Sequence, residues 1–174
     1  KWRWVPALNF INSYHDHDSY ISGLVATIKN KISNHRPQKI IFTYHGIPKR
    51  NFTLGDPYQC FCQKTTRLVA EKLNLKDEEY ITTFQSRFGP AEWLKPYTSE
   101  TMERLPSEGI KDIMVIAPAF SVDCLETIEE IDEENREIFL KAGGNKFHYI
   151  PCLNDSDEQI NFINTLLSEH ISVM

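Results

Sequence analysis

The chain has 174 residues, 41% of them hydrophobic and 25% charged, which suits one compact domain able to bury a substantial core. The formal charge of -5 and a sequence pI near 5.7, with Lys and Arg scattered rather than gathered into a stripe, offer no field for a phosphate backbone and exclude nucleic acid as a partner. The longest apolar stretch, "IMVIAPAF" at 113–120, is far too short to cross a bilayer, and no charged-then-apolar leader opens the chain, so a soluble, cytoplasmic protein is expected.

The start, "KWRWVPALNF", is abrupt, with two tryptophans and no methionine, and reads as a piece excised from a longer protein. "YHDHDSY" at 14–20 has the composition of a metal cluster, but Asp18 or Ser19 stands where a helix N-cap belongs, so a loop and cap are expected. A helix over about 18–33 follows, with Tyr20, Ile21, Leu24, Val25 and Ile28 on one face. "KIIFTYH" at 39–45 is a strand by its β-branched and aromatic content.

It ends on His45, whose imidazole suits proton transfer near neutral pH. Gly46 beside it removes a Cβ and would let a flat ligand approach the backbone. The alternative is a turn histidine with Gly46 and Pro48 shaping the loop, and for a lone histidine that reading comes first. A helix is expected over 59–74 and a strand over 80–86. The next loop, "FQSRFGPAEWLKPYT", holds Phe84, Phe88, Trp93 and Tyr97, which either pack on the core or form a stacking wall for a large apolar ligand.

A helix over 98–107 and a strand over 110–120 precede "DCLETIEEIDEENRE" at 123–137. Asp123 and Glu126 have the spacing of a capping box. Glu126, Glu130 and Glu134, four apart, stack like charges on one face of a helix expected over 124–142, at a cost of a few tenths of a kcal/mol per pair. Such a row either passes a hydrated divalent cation along the face or is simply a solvated acidic surface. Leu125, Ile128, Ile131, Ile138 and Phe139 are the expected buried stripe of that helix, and the glycines at 143 and 144 its stop. A strand over 146–154 and a helix over 156–171 complete the chain.

Alternating strands and helices imply a parallel sheet covered on both faces, with ligands beyond the carboxyl ends of the strands, near 45–58, 85–97, 120–126 and 152–155. The four cysteines, Cys60, Cys62, Cys124 and Cys152, fit no secreted disulfide framework. They are incidental thiols or the ligands of an iron–sulfur cluster at an unusual spacing.

The strings "YHGIPKRNFTLGDPY", "TFQSRFGPAEWLKPYT", "DCLETIEEIDEENREIF" and "YIPCLND", in this order, resemble ferrochelatases from about Trp4 onward. The resemblance covers only the second half of such an enzyme. It implies a Rossmann-like three-layer α/β domain, a four-stranded parallel sheet with helices on both faces, spanning 1–174 as the C-terminal domain of a bacterial-type ferrochelatase whose N-terminal half is absent. It also implies the activity: ferrous iron inserted into protoporphyrin IX to form haem, with no cofactor required.

By the same resemblance His45 matches the catalytic histidine and Glu126 the acid facing it. Glu130 and Glu134 continue the metal-binding row toward solvent, and Trp93, with Tyr44, Gly46 and Cys124, belongs to the porphyrin site. Many members carry a serine and a different residue where this chain has Tyr44 and Gly46, and a histidine where it has Cys124. Some hold a [2Fe–2S] cluster on a cysteine-rich extension; here it would be expected on Cys60, Cys62, Cys124 and Cys152. Porphyrin, ferrous iron, the missing half and a membrane surface touched peripherally are the implied partners. A non-catalytic haem-binding domain, with His45 as axial ligand, and a cobalt chelatase of the same superfamily are the alternatives.

Overall fold

A computed structural model describes residues 3, 4, 8–33 and 35–171; the rest of the domain expected over 1–174 lies outside the described residues. The strands are β1 (Lys39–His45), β2 (Tyr80–Gln85), β3 (Asp112–Ile116) and β4 (Lys146–Ile150). They pair in parallel in the order β2-β1-β3-β4. The helices are α1 (Asp18–Ile32), α2 (Lys49–Thr53), α3 (Tyr58–Leu73), α4 (Thr98–Arg104), α5 (Arg136–Lys141) and α6 (Asp157–Ile171), and a π-helix, Glu126–Asn135, leads into α5.

A parallel sheet must be covered on both faces, which is why β1 reads as a continuous apolar run rather than an alternating one. Side chains still alternate in direction. Ile40, Phe42 and Tyr44 join Met114, Ile116 and Ile150 in a core that includes Leu24 of α1, Val69 of α3 and Phe162 of α6. Ile41, Ile113 and Val115 point the other way, onto Met102 of α4, Ile131 of the π-helix and Phe139 of α5. The expected three-layer α/β architecture is therefore the one adopted.

Where elements end differently, local chemistry explains it. β3 stops at Ile116 and β4 at Ile150, because Pro118 and Pro151 lack the N–H a ladder needs. Ser86, expected in β2, takes φ +62 and leaves the strand. α4 gives way to a 3-10 turn over Leu105–Glu108 that contains Pro106. The single turn of α2 is too short to show a period in sequence. At α1 the cap position falls on His17, with no side-chain capping bond, and Asp18 is already helical. The metal-like composition before it is dispersed: His15 stacks on Phe61 with ring centroids 3.9 Å apart, Asp16 pairs with Lys64 at 2.5 Å, and His17 meets Glu169 at 3.0 Å.

The largest departure is the π-helix. Ile131 and Phe139 are fully buried, but Leu125 is 73% and Ile128 51% exposed, so the predicted stripe breaks at its first two members. Turns closed by i→i+5 bonds are wider than α turns and do not follow a 3.6-residue period. The Asn135 side-chain amide donates to the Glu130 carbonyl at 2.6 Å within this segment. After α5, Gly143 takes φ +98 and the Gly144 N–H reaches the Phe139 carbonyl at 2.9 Å, which realises the predicted glycine stop as a Schellman turn.

The order β2-β1-β3-β4 has a functional consequence. The connection leaving β1 through α3 lies on one face and leads to β2, whereas those through α4 and the π-helix lie on the other face. The sheet thus has a topological switch point between β1 and β3, where α/β proteins open a crevice beyond the strand ends. Among the described residues, no helix is long and apolar enough to cross a membrane.

Candidate active site

His45 is the last residue of β1, paired with Gln85 of β2, and so borders the crevice. Strand alternation sends Tyr44 to the opposite face. There it is 2% exposed and bonded to the Thr66 hydroxyl at 2.9 Å, so the expected porphyrin contact through Tyr44 is replaced by a core role. The Nδ1 of His45 lies 2.7 Å from the Gly46 carbonyl. A carbonyl only accepts, so Nδ1 carries the ring proton and Nε2 of the neutral imidazole keeps its lone pair. The Tyr58 hydroxyl donates to the His45 carbonyl at 2.9 Å and fixes the backbone.

Gly46 is glycine for a reason other than ligand approach. A Cβ there would lie 2.8 Å from the Gln85 carbonyl and 3.0 Å from Cε3 of Trp93, so the missing side chain makes room for a strand and an indole. Trp93 is held by a short antiparallel pairing: Leu94 N–H to the Ile47 carbonyl at 3.0 Å and Lys49 N–H to the Glu92 carbonyl at 2.9 Å. The half-buried indole stands beside the imidazole, ring centroids 6.4 Å apart. The aromatic loop divides its members: Phe84 and Tyr97 are buried in the core, while Phe88 is 85% exposed.

On the strand next to His45, Gln85 carries most of the positioning. Its Oε1 accepts from the Thr43 hydroxyl at 2.9 Å and its Nε2 donates to the Glu126 carbonyl at 3.0 Å, which ties the end of β2 to the first turn of the π-helix. Thr43 in turn meets Thr98 at 2.8 Å. The Cys124 thiol, then backbone amide donation, and to a smaller extent the His45 ring hold the Glu126 carboxyl below the usual carboxylate range. It is therefore an anion near His45, able to face a cation or an imidazolium.

Glu126, Glu130 and Glu134 line one open groove of about 280 Å³ with Leu125 and Glu129, so the acidic row is one continuous surface. It is not a ready-made chelate: the only three-donor cluster of His, Cys, Asp or Glu among the described residues lies elsewhere, at His35, Asp112 and His148. Glu130 also has a structural task, since its Oε1 accepts from the Ser86 N–H at 2.6 Å and its Oε2 from the Ser86 hydroxyl at 2.5 Å. These bonds pin the left-handed turn that opens the Trp93 loop. Glu130→Ala, which removes both acceptors, is expected to lower unfolding stability by about 1–2 kcal/mol in denaturant titrations. Unchanged stability would leave Glu130 as a metal-path residue alone.

The predicted capping box is not formed. Asp123 instead takes four donors: the Tyr149 hydroxyl at 2.7 Å, the Asn154 amide at 2.8 Å, the Cys152 N–H at 3.2 Å and the Thr127 hydroxyl at 3.2 Å. Partial burial opposes its ionisation, but the Asn154, Tyr149 and Cys152 donors outweigh this and hold its carboxyl below the usual range. The hub joins the loop after β3 to the loop after β4 and sets the start of the π-helix.

The cysteines do not fit an iron–sulfur cluster. Cys60 is exposed and Cys62 buried on α3, Cys152 packs against Tyr149, and Cys124 stands beside Glu126. No three of them share a point among the described residues. Burial pushes the Cys62 thiol up to about 12 and the Cys152 thiol up to about 12, whereas a cluster takes thiolates. Gln85 and Ser86 fall in a segment the sequence marks as a strand end but are not singled out there, and Asp123, read as a cap, is instead the centre of the hub that joins the loops after β3 and β4; a glutamine closing a Thr-rich strand is the one signal the sequence offers for Gln85.

The domain is a parallel α/β sandwich with a histidine at its switch point and an acidic helix beside it. The fold matches a solved "putative cobalamin (vitamin B12) biosynthesis CbiX protein" from Marinobacter aquaeolei VT8 with a TM-score of 0.52 at 11% identity, over 79% of this chain and 100% of that one. The chain belongs to the ferrochelatase family, whose sequence model, described as Ferrochelatase, matches residues 1–171.

It is 54% identical over 172 residues to "Ferrochelatase 2" of Shewanella oneidensis, covering 98% of this chain and 53% of that protein. It is 52% identical over 168 residues to "Ferrochelatase" of Hydrogenovibrio crunogenus, covering 96% of this chain and 44% of that protein. The chain thus spans about half the length of the curated relatives it matches.

Proposed function

We propose that this chain forms the wall of a ferrochelatase cleft that carries the proton-accepting histidine, and that with a second domain it exchanges the two pyrrole N–H protons of protoporphyrin IX for Fe(II), giving haem and two protons. The observation that carries this reading is His45: its Nδ1 is committed to the Gly46 carbonyl, so its Nε2 lone pair is available at the switch point between the Glu126 anion and the Trp93 indole. Nε2 accepts a pyrrole proton, and the carboxylate stabilises the imidazolium and the incoming cation. The groove of Glu126, Glu130 and Glu134 supplies hard oxygen ligands along which a hydrated ion advances or a proton leaves. The exchange changes no oxidation state and requires no resident cofactor.

Exposed apolar side chains at the crevice support a missing partner. Phe88 is 85%, Leu125 73%, Val122 56% and Ile128 51% exposed, and all lie in or just beyond the loops that follow β2 and β3. Macrocycle and second domain would cover them. Trp93, seated by Gly46, grips the ring edge. In the chain combined with that domain, Trp93→Ala should raise the porphyrin KM about tenfold, ~1.4 kcal/mol, with a smaller change in kcat. An unchanged KM would remove Trp93 from the porphyrin site. Tight haem binding with no insertion of any metal would favour a non-catalytic tetrapyrrole-binding domain instead.

A further inference from the structure

The one compact group of metal-type side chains among the described residues lies at the other end of the sheet. His35 sits in the link before β1, Asp112 opens β3, and His148 is the third residue of β4. One donor atom from each lies within 4.8 Å of the others. His35 Nε2 is 2.8 and 2.7 Å from the two Asp112 oxygens, and the two imidazoles are 4.8 Å apart between centroids, inclined at 45°. His148 Nε2 is enclosed and has no hydrogen-bond partner among the described residues, which leaves it able to meet a ligand.

We propose that His35, Asp112 and His148 bind a divalent transition-metal ion of the Zn(II) or Fe(II) class, at a site distinct from the cleft. Two imidazoles and one carboxylate are a borderline nitrogen–oxygen set that suits these ions and not Mg(II) or Ca(II). The His35 and Asp112 side chains are 28% and 19% exposed, so an ion and a completing water can enter. Lys146 and Arg136 oppose a cation near His148, but Arg136 is engaged with Asp132 and the Phe147 carbonyl, and Asp112 supplies the offsetting charge.

His45 stands six residues further along its strand than Lys39, the partner of Ile113, or about 20 Å away at ordinary strand rise. A metal here does not meet the porphyrin. It clips the α1–β1 link to the start of β3 and to the outer strand β4, and its effect is on stability.

The test is titration of the intact chain with Zn(II), and with Co(II) as an optical probe, in a background carrying His45→Ala and Cys60→Ser to silence the cleft and the exposed thiol. One Zn(II) per chain is expected, together with a rise in the thermal transition. His148→Gln and Asp112→Asn should each weaken binding at least tenfold and abolish the rise; made in the otherwise unaltered chain and combined with a second, cleft-closing domain, they should leave metal insertion unchanged. No bound Zn(II) in the background, or equal binding in both variants, overturns the site. Should His148→Gln fail to fold, Asp112→Asn decides, because it keeps an oxygen for His35.

Discussion

Replacing His45 by alanine is expected to reduce metal insertion about 10²- to 10⁴-fold in the chain combined with its second domain, the range over which a positioned acid–base group contributes. Porphyrin binding should survive, because Trp93 is held by the pairing of its neighbours Leu94 and Glu92 with Ile47 and Lys49 and by the space at Gly46, neither of which involves the imidazole. A binding titration by Soret shift beside a turnover assay separates the two quantities. His45→Gln offers an amide in place of the ring but no basic lone pair, and it should be as inactive as alanine. Near-normal turnover in either variant would show that the acidic row, not His45, takes the pyrrole protons.

The second large effect is on stability. Asp123→Ala removes the common acceptor of Tyr149, Asn154, the Cys152 N–H and Thr127. Each enclosed donor left without a partner costs about 1–3 kcal/mol; since water reaches part of this hub, about 2–4 kcal/mol in total is expected from denaturant unfolding. The pH dependence has a definite sign. The folded Asp123 carboxyl is depressed below its ordinary value, so its contribution is complete above the unfolded pKa near 4 and is lost as pH falls through the lower folded value. The gap between the parent chain and Asp123→Asn should therefore be level near neutrality and close in acid. A gap that widens below pH 4 would mean that the hub is not held as an anion.

These two residues also mark how far the amino-acid sequence alone reaches. Periods and β-branched content located all four strands and the parallel three-layer class, because a doubly buried strand has a composition few other elements share. His45 was recognisable only as a polar residue closing a strand, and family resemblance rather than spacing raised it above a turn residue. Topology then supplied an independent reason, since the order β2-β1-β3-β4 places its end at the switch point.

Other features were hidden for physical reasons. Leu125 and Ile128 fit an α-helical stripe but are exposed, because the wider π-helical turns do not keep the 3.6-residue period and no simple residue pattern announces them. Asp123 has the spacing of a cap, yet three of its four partners, Tyr149, Cys152 and Asn154, come from the end of β4 and the loop after it, a long-range arrangement that local sequence cannot encode. Tyr44 and Gly46 flank the histidine in sequence, but one turns into the opposite core and the other makes room for Trp93. Adjacency along a strand alternates faces and does not imply a shared site.

In the proposed function this chain supplies the histidine wall of a metal-inserting cleft that a second domain closes. The most direct test is a metallation assay with protoporphyrin IX, on the chain alone and mixed with a separately expressed N-terminal half, scanning Fe(II), Zn(II) and Co(II). The predicted result is negligible turnover for the chain alone and His45-dependent insertion of Fe(II) and Zn(II) once the second half is present. Full-rate insertion by the chain alone would contradict the need for a second wall. Absence of insertion from the reconstituted pair, or insertion of Co(II) only, would contradict the ferrochelatase assignment.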